Sequence, residues 1–236
     1  MSVDMGATED AASRCPAPPV DISDSSVRSS WDGRRMEPMF VSFEGLDGSG
    51  KSTQAQRLAA RLEAEGFEVV ATREPGGTEL GERVRDLVLH GGHVNPWAEA
   101  LLYAAARAQH VEDVIRPALG RGASVVCDRY LDSSVAYQGV GRELGLDRVL
   151  ELNLAAVGGL LPDRTFLLAL DVAEIGGRLQ PEQDRLERES DEFHARAAVG
   201  YRELAGRFPE RIVVLDATRP ADELTEEVYG ALRVRT

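Results

Sequence analysis

Met39-Phe40-Val41-Ser42-Phe43-Glu44-Gly45-Leu46-Asp47-Gly48-Ser49-Gly50-Lys51-Ser52-Thr53 runs from an apolar segment into a loop, residues 45 to 53, of the form G-x-x-x-x-G-K-[ST]. The glycines Gly45, Gly48 and Gly50 permit backbone angles that turn successive N–H groups inward onto phosphate oxygens. Lys51 adds a mobile positive charge, and the Ser52 hydroxyl suits a Mg²⁺ ion. From Thr53 to Leu62 the apolar residues Leu58, Ala59 and Leu62 recur at helical spacing, so a helix starting near Gly50 adds the positive end of its dipole. Strand, loop and helix thus follow in the order that a nucleoside triphosphate site requires. Gly45, Leu46, Asp47, Gly48, Ser49, Gly50, Lys51, Ser52 and Thr53 are the expected phosphate-binding residues.

Working outward, Glu68 to Thr72 reads as a short strand, closed by the loop Arg73-Glu74-Pro75-Gly76-Gly77-Thr78, with Thr78 as the cap of a helix. Residues 79 to 89 place Leu80, Val84, Leu87 and Val88 on one face, Asn95-Pro96 opens a further helix, and His110 to Leu119 continues helically to Gly120. Apolar runs lead to Asp128, to Asp171 and, through Arg211 to Leu215, to Asp216. They alternate with amphipathic segments at Leu146 to Val157, Phe193 to Arg207 and Ala221 to Leu232. This pattern predicts an α/β fold: a three-layer α/β/α sandwich around a five-stranded parallel sheet. Ligands of such sheets collect beyond the carboxyl ends of the strands, where Arg73, Asp128, Arg129 and the phosphate loop would meet.

With 236 residues, 43% of them hydrophobic, the chain suits one globular domain. Lys+Arg 27 against Asp+Glu 40 gives a net charge of -13, which reads first as a well-solvated surface and opposes a nucleic-acid partner, while remaining compatible with a small phosphorylated substrate held by a few local arginines. Cys15 and Cys127 are too few for a disulfide framework and fit a reducing cytoplasm, with Cys127 a buried structural thiol. His90, His93, His110 and His194 form no ligand set, so no metal is assigned to them. No segment reaches the roughly 18 apolar residues of a membrane span. Residues 1 to 37, rich in Ser, Asp, Pro and Ala and carrying seven acidic residues against four arginines, are expected to form a disordered extension without a secretory signal, ahead of a domain over residues 38 to 236.

Three motifs in register resemble the thymidylate kinase family: Phe43 to Thr53, then Arg73-Glu74-Pro75-Gly76-Gly77-Thr78, then Asp128-Arg129-Tyr130 followed by Ser133-Ser134-Val135-Ala136-Tyr137-Gln138-Gly139. The likeness spans residues 39 to about 218 and implies the nucleotide-kinase version of the P-loop NTPase fold. It implies ATP- and Mg²⁺-dependent phosphorylation of dTMP to dTDP, as part of dTTP synthesis, and a homodimer. The rival activities are phosphorylation of another nucleotide or deoxynucleoside, and nucleotide sensing without turnover.

By the same resemblance, Lys51, Arg129, Arg73, Arg178 and Asp128 carry catalysis. Arg129 binds the acceptor phosphate, Arg73 steadies that phosphate or the transferring group, and Asp47 contacts the acceptor's 3′-hydroxyl. Tyr103 stacks on thymine and Arg107, one helical turn away, bonds a thymine carbonyl; Ser134 and Gln138 line the same pocket, and Tyr137 packs on the deoxyribose. Ser52 and Asp128 are the metal-side pair, with Asp128 either reaching Mg²⁺ or orienting an arginine. Residues 174 to 188 look like a lid over ATP, with Arg178 its catalytic cation and Arg185 either a second matching position or a helix ion-pair partner of Asp184 or Glu189.

Overall fold

The computed structural model describes residues 30–31, 34–35, 37–175 and 184–233. Most of the expected disordered extension, and Arg178 with residues 176 to 183 of the expected lid, lie outside the described residues. Within the former stretch β1 (Ser30–Trp31) pairs antiparallel with β2 (Arg34–Arg35).

Five further strands follow: β3 (Phe40–Gly45), β4 (Val69–Arg73), β5 (Ser124–Asp128), β6 (Arg164–Ala169) and β7 (Ile212–Asp216). They form one sheet in the order β4-β5-β3-β6-β7, parallel at every pairing. Every residue of β3, the central strand, is buried, which is why its sequence shows an apolar run and no two-residue alternation. Phe43 stacks on Phe166 of β6 at 5.5 Å between ring centroids, and Phe40 meets the edge of Tyr130 at 4.9 Å. Burial of each such ring stabilises the fold by about 1.5–3 kcal/mol.

Helices cover the sheet. They are α1 (Lys51–Ala64), α2 (Glu79–Arg85), α3 (Pro96–His110), α4 (Arg116–Gly120), α5 (Leu131–Ser134), α6 (Leu146–Ala156), α7 (Val172–Ile175), α8 (Asp191–Arg207) and α9 (Ala221–Arg233). α1 packs on β3, β4 and β5 and against α9; α5 packs on β3, and α8 on β6 and β7. Thr78 caps α2 by accepting from the Gly81 N–H at 3.0 Å, Asn95 caps α3 by accepting from the Trp97 N–H at 3.0 Å, and Pro96 fills the first helical position of α3.

Wide π turns extend three of these helices, at Asp86–His90, Val111–Ile115 and Val135–Gly141. The first changes the face expected for residues 79 to 89. Val84 and Val88 are buried, but Leu80 and Leu87 remain 43% and 51% exposed; Leu87 lies in the wider turn after Arg85, which departs from a uniform helical stripe.

Strand register then sets the rim. Asp128 lies opposite Phe43 on one side and Arg73 on the other, so the ends of β5 and then β4 follow one another on one side of the phosphate loop leaving β3, with β6 on its other side.

Candidate active site

The phosphate loop leaves β3 at Gly45, where φ is 138° and an added Cβ would lie 2.5 Å from the Leu168 carbonyl oxygen; no larger residue fits. Gly50, at φ 93°, caps α1 with no side-chain hydrogen bond, so the N–H groups of the first turn of a 14-residue helix are free to receive an anion. Lys51 is buried, donates to the Leu46 carbonyl at 2.7 Å and stands 3.9 Å from Asp47. Burial and then the Arg129 charge push its pKa down to about 8, against the opposing pull of Asp47, Asp128 and Glu44. An arriving phosphate would favour the charged form.

Beside it the Ser52 hydroxyl donates to Asp128 Oδ2 at 2.5 Å, while Asp128 Oδ1 is buried without a hydrogen-bond partner among the described residues. An orphaned carboxylate oxygen next to a hydroxyl is a hard-oxygen donor set that fits Mg²⁺.

Arg129 follows at the end of β5 with φ 69°, a left-handed conformation unusual for a residue with a side chain. Its Nη1 donates to the Gly45 carbonyl at 2.9 Å, Ser133 Oγ at 3.1 Å and the Tyr201 hydroxyl at 3.2 Å, and its Nη2 donates to Asp47. The guanidinium also lies over the Tyr137 ring, 5.3 Å from its centroid, and Tyr137 donates to the second Asp47 oxygen at 3.0 Å. Burial alone would raise the Asp47 pKa, but the Arg129 and Lys51 charges and these hydrogen bonds outweigh it and hold the carboxyl well below its usual range. Asp47 is therefore an anion that braces the Arg129 guanidinium.

Glu44, fully buried in β3, completes this corner. It accepts from the Tyr130 N–H at 2.7 Å, the Ser133 N–H at 3.3 Å, the Ser133 hydroxyl at 2.5 Å and the Tyr201 hydroxyl at 3.0 Å. Burial, reinforced by Asp132, raises its pKa to about 7 despite those donors and Arg129.

Arg73 stands at the opposite lip, half-exposed, with its Nη2 donating to both Glu82 oxygens at 2.9 and 3.1 Å; the same carboxylate accepts from the Gly77 N–H at 3.0 Å. Arg85, tied to the Pro75 carbonyl at 3.2 Å, is a further cation on this lip.

One cavity of about 520 Å³ runs from the phosphate loop past Arg73, Asp128 and Arg129 to Tyr103, Arg107, Ser134, Tyr137 and Gln138, uniting most of the residues singled out in the sequence. Arg107 is buried at its far end. It donates to Glu74 at 2.6 Å, Ser134 at 3.1 Å, the Tyr130 carbonyl at 3.2 Å and Asn153, which leaves one of its five N–H groups without a partner among the described residues. Glu74, His110 and Cys127 cluster behind it, but His110 already meets Glu74 at 2.8 Å and Thr72 at 2.7 Å, and Cys127 donates to the Arg129 carbonyl. That cluster is a closed hydrogen-bond network with no ring nitrogen left for a metal.

Gly45 and Leu46 face a second cavity of about 410 Å³, which reaches Asp216 and Thr218 at the end of β7. Sequence reading assigned no role to Glu44, Glu82, Arg85, Glu99 or Tyr201. Glu44, a charge inside an apolar run, and Glu99, one turn before Tyr103 on the same helix, were the two detectable signals. Arg185 donates to the Val88 carbonyl at 2.7 Å and to Glu99 at 2.5 Å.

The family model described as thymidylate kinase matches residues 43–228. The thymidylate kinase of Clavibacter michiganensis subsp. michiganensis is 55% identical over 204 residues, which is 85% of this chain and 95% of that one. That of Bifidobacterium longum is 53% identical over 202 residues, 84% and 96% of the two chains. The crystal structure of thymidylate kinase from Ehrlichia chaffeensis superposes with a TM-score of 0.71 at 33% identity, covering 84% of this chain and 100% of its own. No helix among the described residues is long and apolar enough to cross a membrane.

Proposed function

The chain belongs to the thymidylate kinase family and phosphorylates dTMP, and we propose that it takes the γ-phosphoryl group from ATP, with Mg²⁺, to give dTDP and ADP. The observation that carries this reading is the single cavity that joins the phosphate loop to Arg73 and Arg129 and then to Tyr103 and Arg107. Two anions must meet there, and the fixed cations along it offset their repulsion.

The acceptor phosphate is already anionic and needs no strong base, so the chain contributes position and charge. The open N–H groups of α1 and Lys51 hold the donor phosphates. Arg129 receives the acceptor phosphate while Asp47 and Tyr201 keep its guanidinium in place. Arg73 shares its fork between Glu82 and that phosphate. Ser52 and Asp128 would hold Mg²⁺, which supplies charge neutralisation on the donor phosphates when bound. Tyr103 stacks on the base, Arg107 offers its remaining N–H to a carbonyl, Ser134 and Gln138 flank it, and Tyr137 and Asp47 meet the deoxyribose. Arg178 is the proposed lid cation on the transferring group.

Leu80, Leu87 and Leu101, at 43%, 51% and 53% exposed on α2, its π extension and α3, support a homodimer formed through these helices. The buried free thiol of Cys127 fits a reducing cytoplasm. A panel of dTMP, dUMP, dGMP, AMP and thymidine with ATP tests the reading: dTMP is expected to give the highest kcat/KM, and preference for a nucleoside or a purine monophosphate would contradict it.

A further inference from the structure

Glu99 lies in the first turn of α3 with none of its surface exposed. Its Oε1 accepts from the Gln138 Nε2 at 2.8 Å and the Arg142 Nε at 3.3 Å; its Oε2 accepts from the Arg185 Nη2 at 2.5 Å and the Arg142 Nη2 at 3.3 Å. All of these partners are N–H donors, so both oxygens act as acceptors only. The Gln138 amide cannot turn its oxygen toward such a group without opposing two sets of lone pairs. Its NH₂ must face Glu99, and its oxygen the other way. No described residue donates to that oxygen, and Gln138 lines the cavity beside Tyr103, Arg107 and Ser134.

We infer that Glu99 is a specificity-determining positioning residue: by receiving the Gln138 NH₂ it fixes the amide so that an acceptor, not a donor, meets the base. The inference rests on the reading of this cavity as the dTMP site. Thymine carries an N–H at ring position 3 and a carbonyl at position 4, whereas cytosine presents a lone pair and an amino group. A fixed acceptor bonds the first ring and repels the second; an amide free to rotate half a turn would serve both. Arg107, itself locked by its protein hydrogen bonds, presents an N–H and selects the carbonyl in the same sense. Two buried carboxylates, Glu74 behind Arg107 and Glu99 behind Gln138, thus set the polarity of the two side chains.

Kinetics with Glu99→Gln test this, since an amide in place of the carboxylate lets Gln138 flip. The ratio of kcat/KM for dTMP over dCMP should fall by about tenfold, the worth of one hydrogen bond, with the KM for ATP unchanged. In a Gln138→Leu background the same substitution should leave that ratio unchanged, because Glu99 acts through Gln138. An unchanged ratio in Glu99→Gln, or an equal fall in both backgrounds, would overturn the inference. Wild-type protein that prefers an acceptor other than dTMP would overturn the reading of the site and the inference with it. A readout on wild type covers a variant that fails to fold: the Gln138 side-chain NH₂ protons, identified by their loss in Gln138→Leu, should exchange slowly before nucleotide is added and gain no protection from dTMP. Protection that arises only with dTMP would show that the nitrogen faces the base, and would overturn the proposal.

Discussion

Glu44 fixes the conformation of Arg129 without touching it: its carboxylate accepts from the Tyr130 and Ser133 N–H groups on the C-terminal side of Arg129 and from the two hydroxyls, Ser133 and Tyr201, that Arg129 itself contacts. The left-handed backbone of Arg129, at φ 69°, costs on the order of 1–3 kcal/mol and persists where surrounding contacts over-determine it. In Glu44→Gln the NH₂ of the amide faces donors, and the turn loosens. kcat/KM for dTMP should drop about ten- to a hundredfold, while equilibrium binding of ATP changes little. Equal losses for both substrates would point to general unfolding instead.

The same carboxyl gives a pH signature. Its pKa is raised from 4.5 to about 7, first by burial, so its contribution to stability is complete below about 4.5 and is lost as pH rises through 7. Thermal melts of wild type and Glu44→Gln should therefore show the wild type losing ground to the variant between pH 5 and about pH 8. A constant difference in Tm across that range would mean that Glu44 does not titrate there.

Lys51 titrates in the opposite chemical sense. Because burial lowers its pKa to about 8, the empty site gains positive charge as pH falls through that value, and ATP affinity should weaken as pH rises through it. Calorimetry at pH near 8 in two buffers of different ionisation enthalpy should register proton uptake on ATP binding, and Lys51→Arg should abolish the uptake. Lys51→Ala should lower turnover at least about a hundredfold with the fold retained.

Glu82 is expected to act through Arg73. Its bidentate grip and its bond to the Gly77 N–H orient that arginine at the lip of the cavity. Arg73→Ala should cost about a hundredfold in kcat/KM for dTMP and Glu82→Ala about tenfold, with the double variant no worse than Arg73→Ala alone. Additive losses in the double variant would separate the two roles.

Asp128 allowed two readings in the sequence, metal-side ligand or partner of an arginine. The structure gives it the Ser52 hydroxyl and an oxygen unpartnered among the described residues, while Arg129 pairs with Asp47. Asp128→Asn should raise the Mg²⁺ concentration needed for half-maximal rate by about tenfold and leave dTMP binding intact. A weaker dTMP affinity with unchanged Mg²⁺ dependence would favour the arginine role.

The rim of this site was legible because its parts are local: a glycine loop, apolar runs that end in Asp128 and Asp216, and a helix with Tyr103 and Arg107 one turn apart. What sequence could not show is what the charged residues do to one another. Glu99 sits one turn before Tyr103, a position visible in the sequence, but the partners that accompany its burial, Gln138, Arg142 and Arg185, arrive from distant segments. Arg185 similarly read as a lid residue, yet its partners are the Val88 carbonyl and Glu99 on α3. Leu87 followed a helical stripe that the π turn after Arg85 interrupts, a local widening that periodicity does not encode.

A crystal of this chain grown with dTMP and a non-hydrolysable ATP analogue tests the central claim most directly. The account predicts the dTMP phosphate within hydrogen-bond reach of Arg129 and Arg73 and facing the analogue's terminal phosphate at Lys51, with thymine between Tyr103 and the free N–H of Arg107. A dTMP phosphate remote from Arg129 and Lys51, or a base lodged away from Arg107, would contradict it.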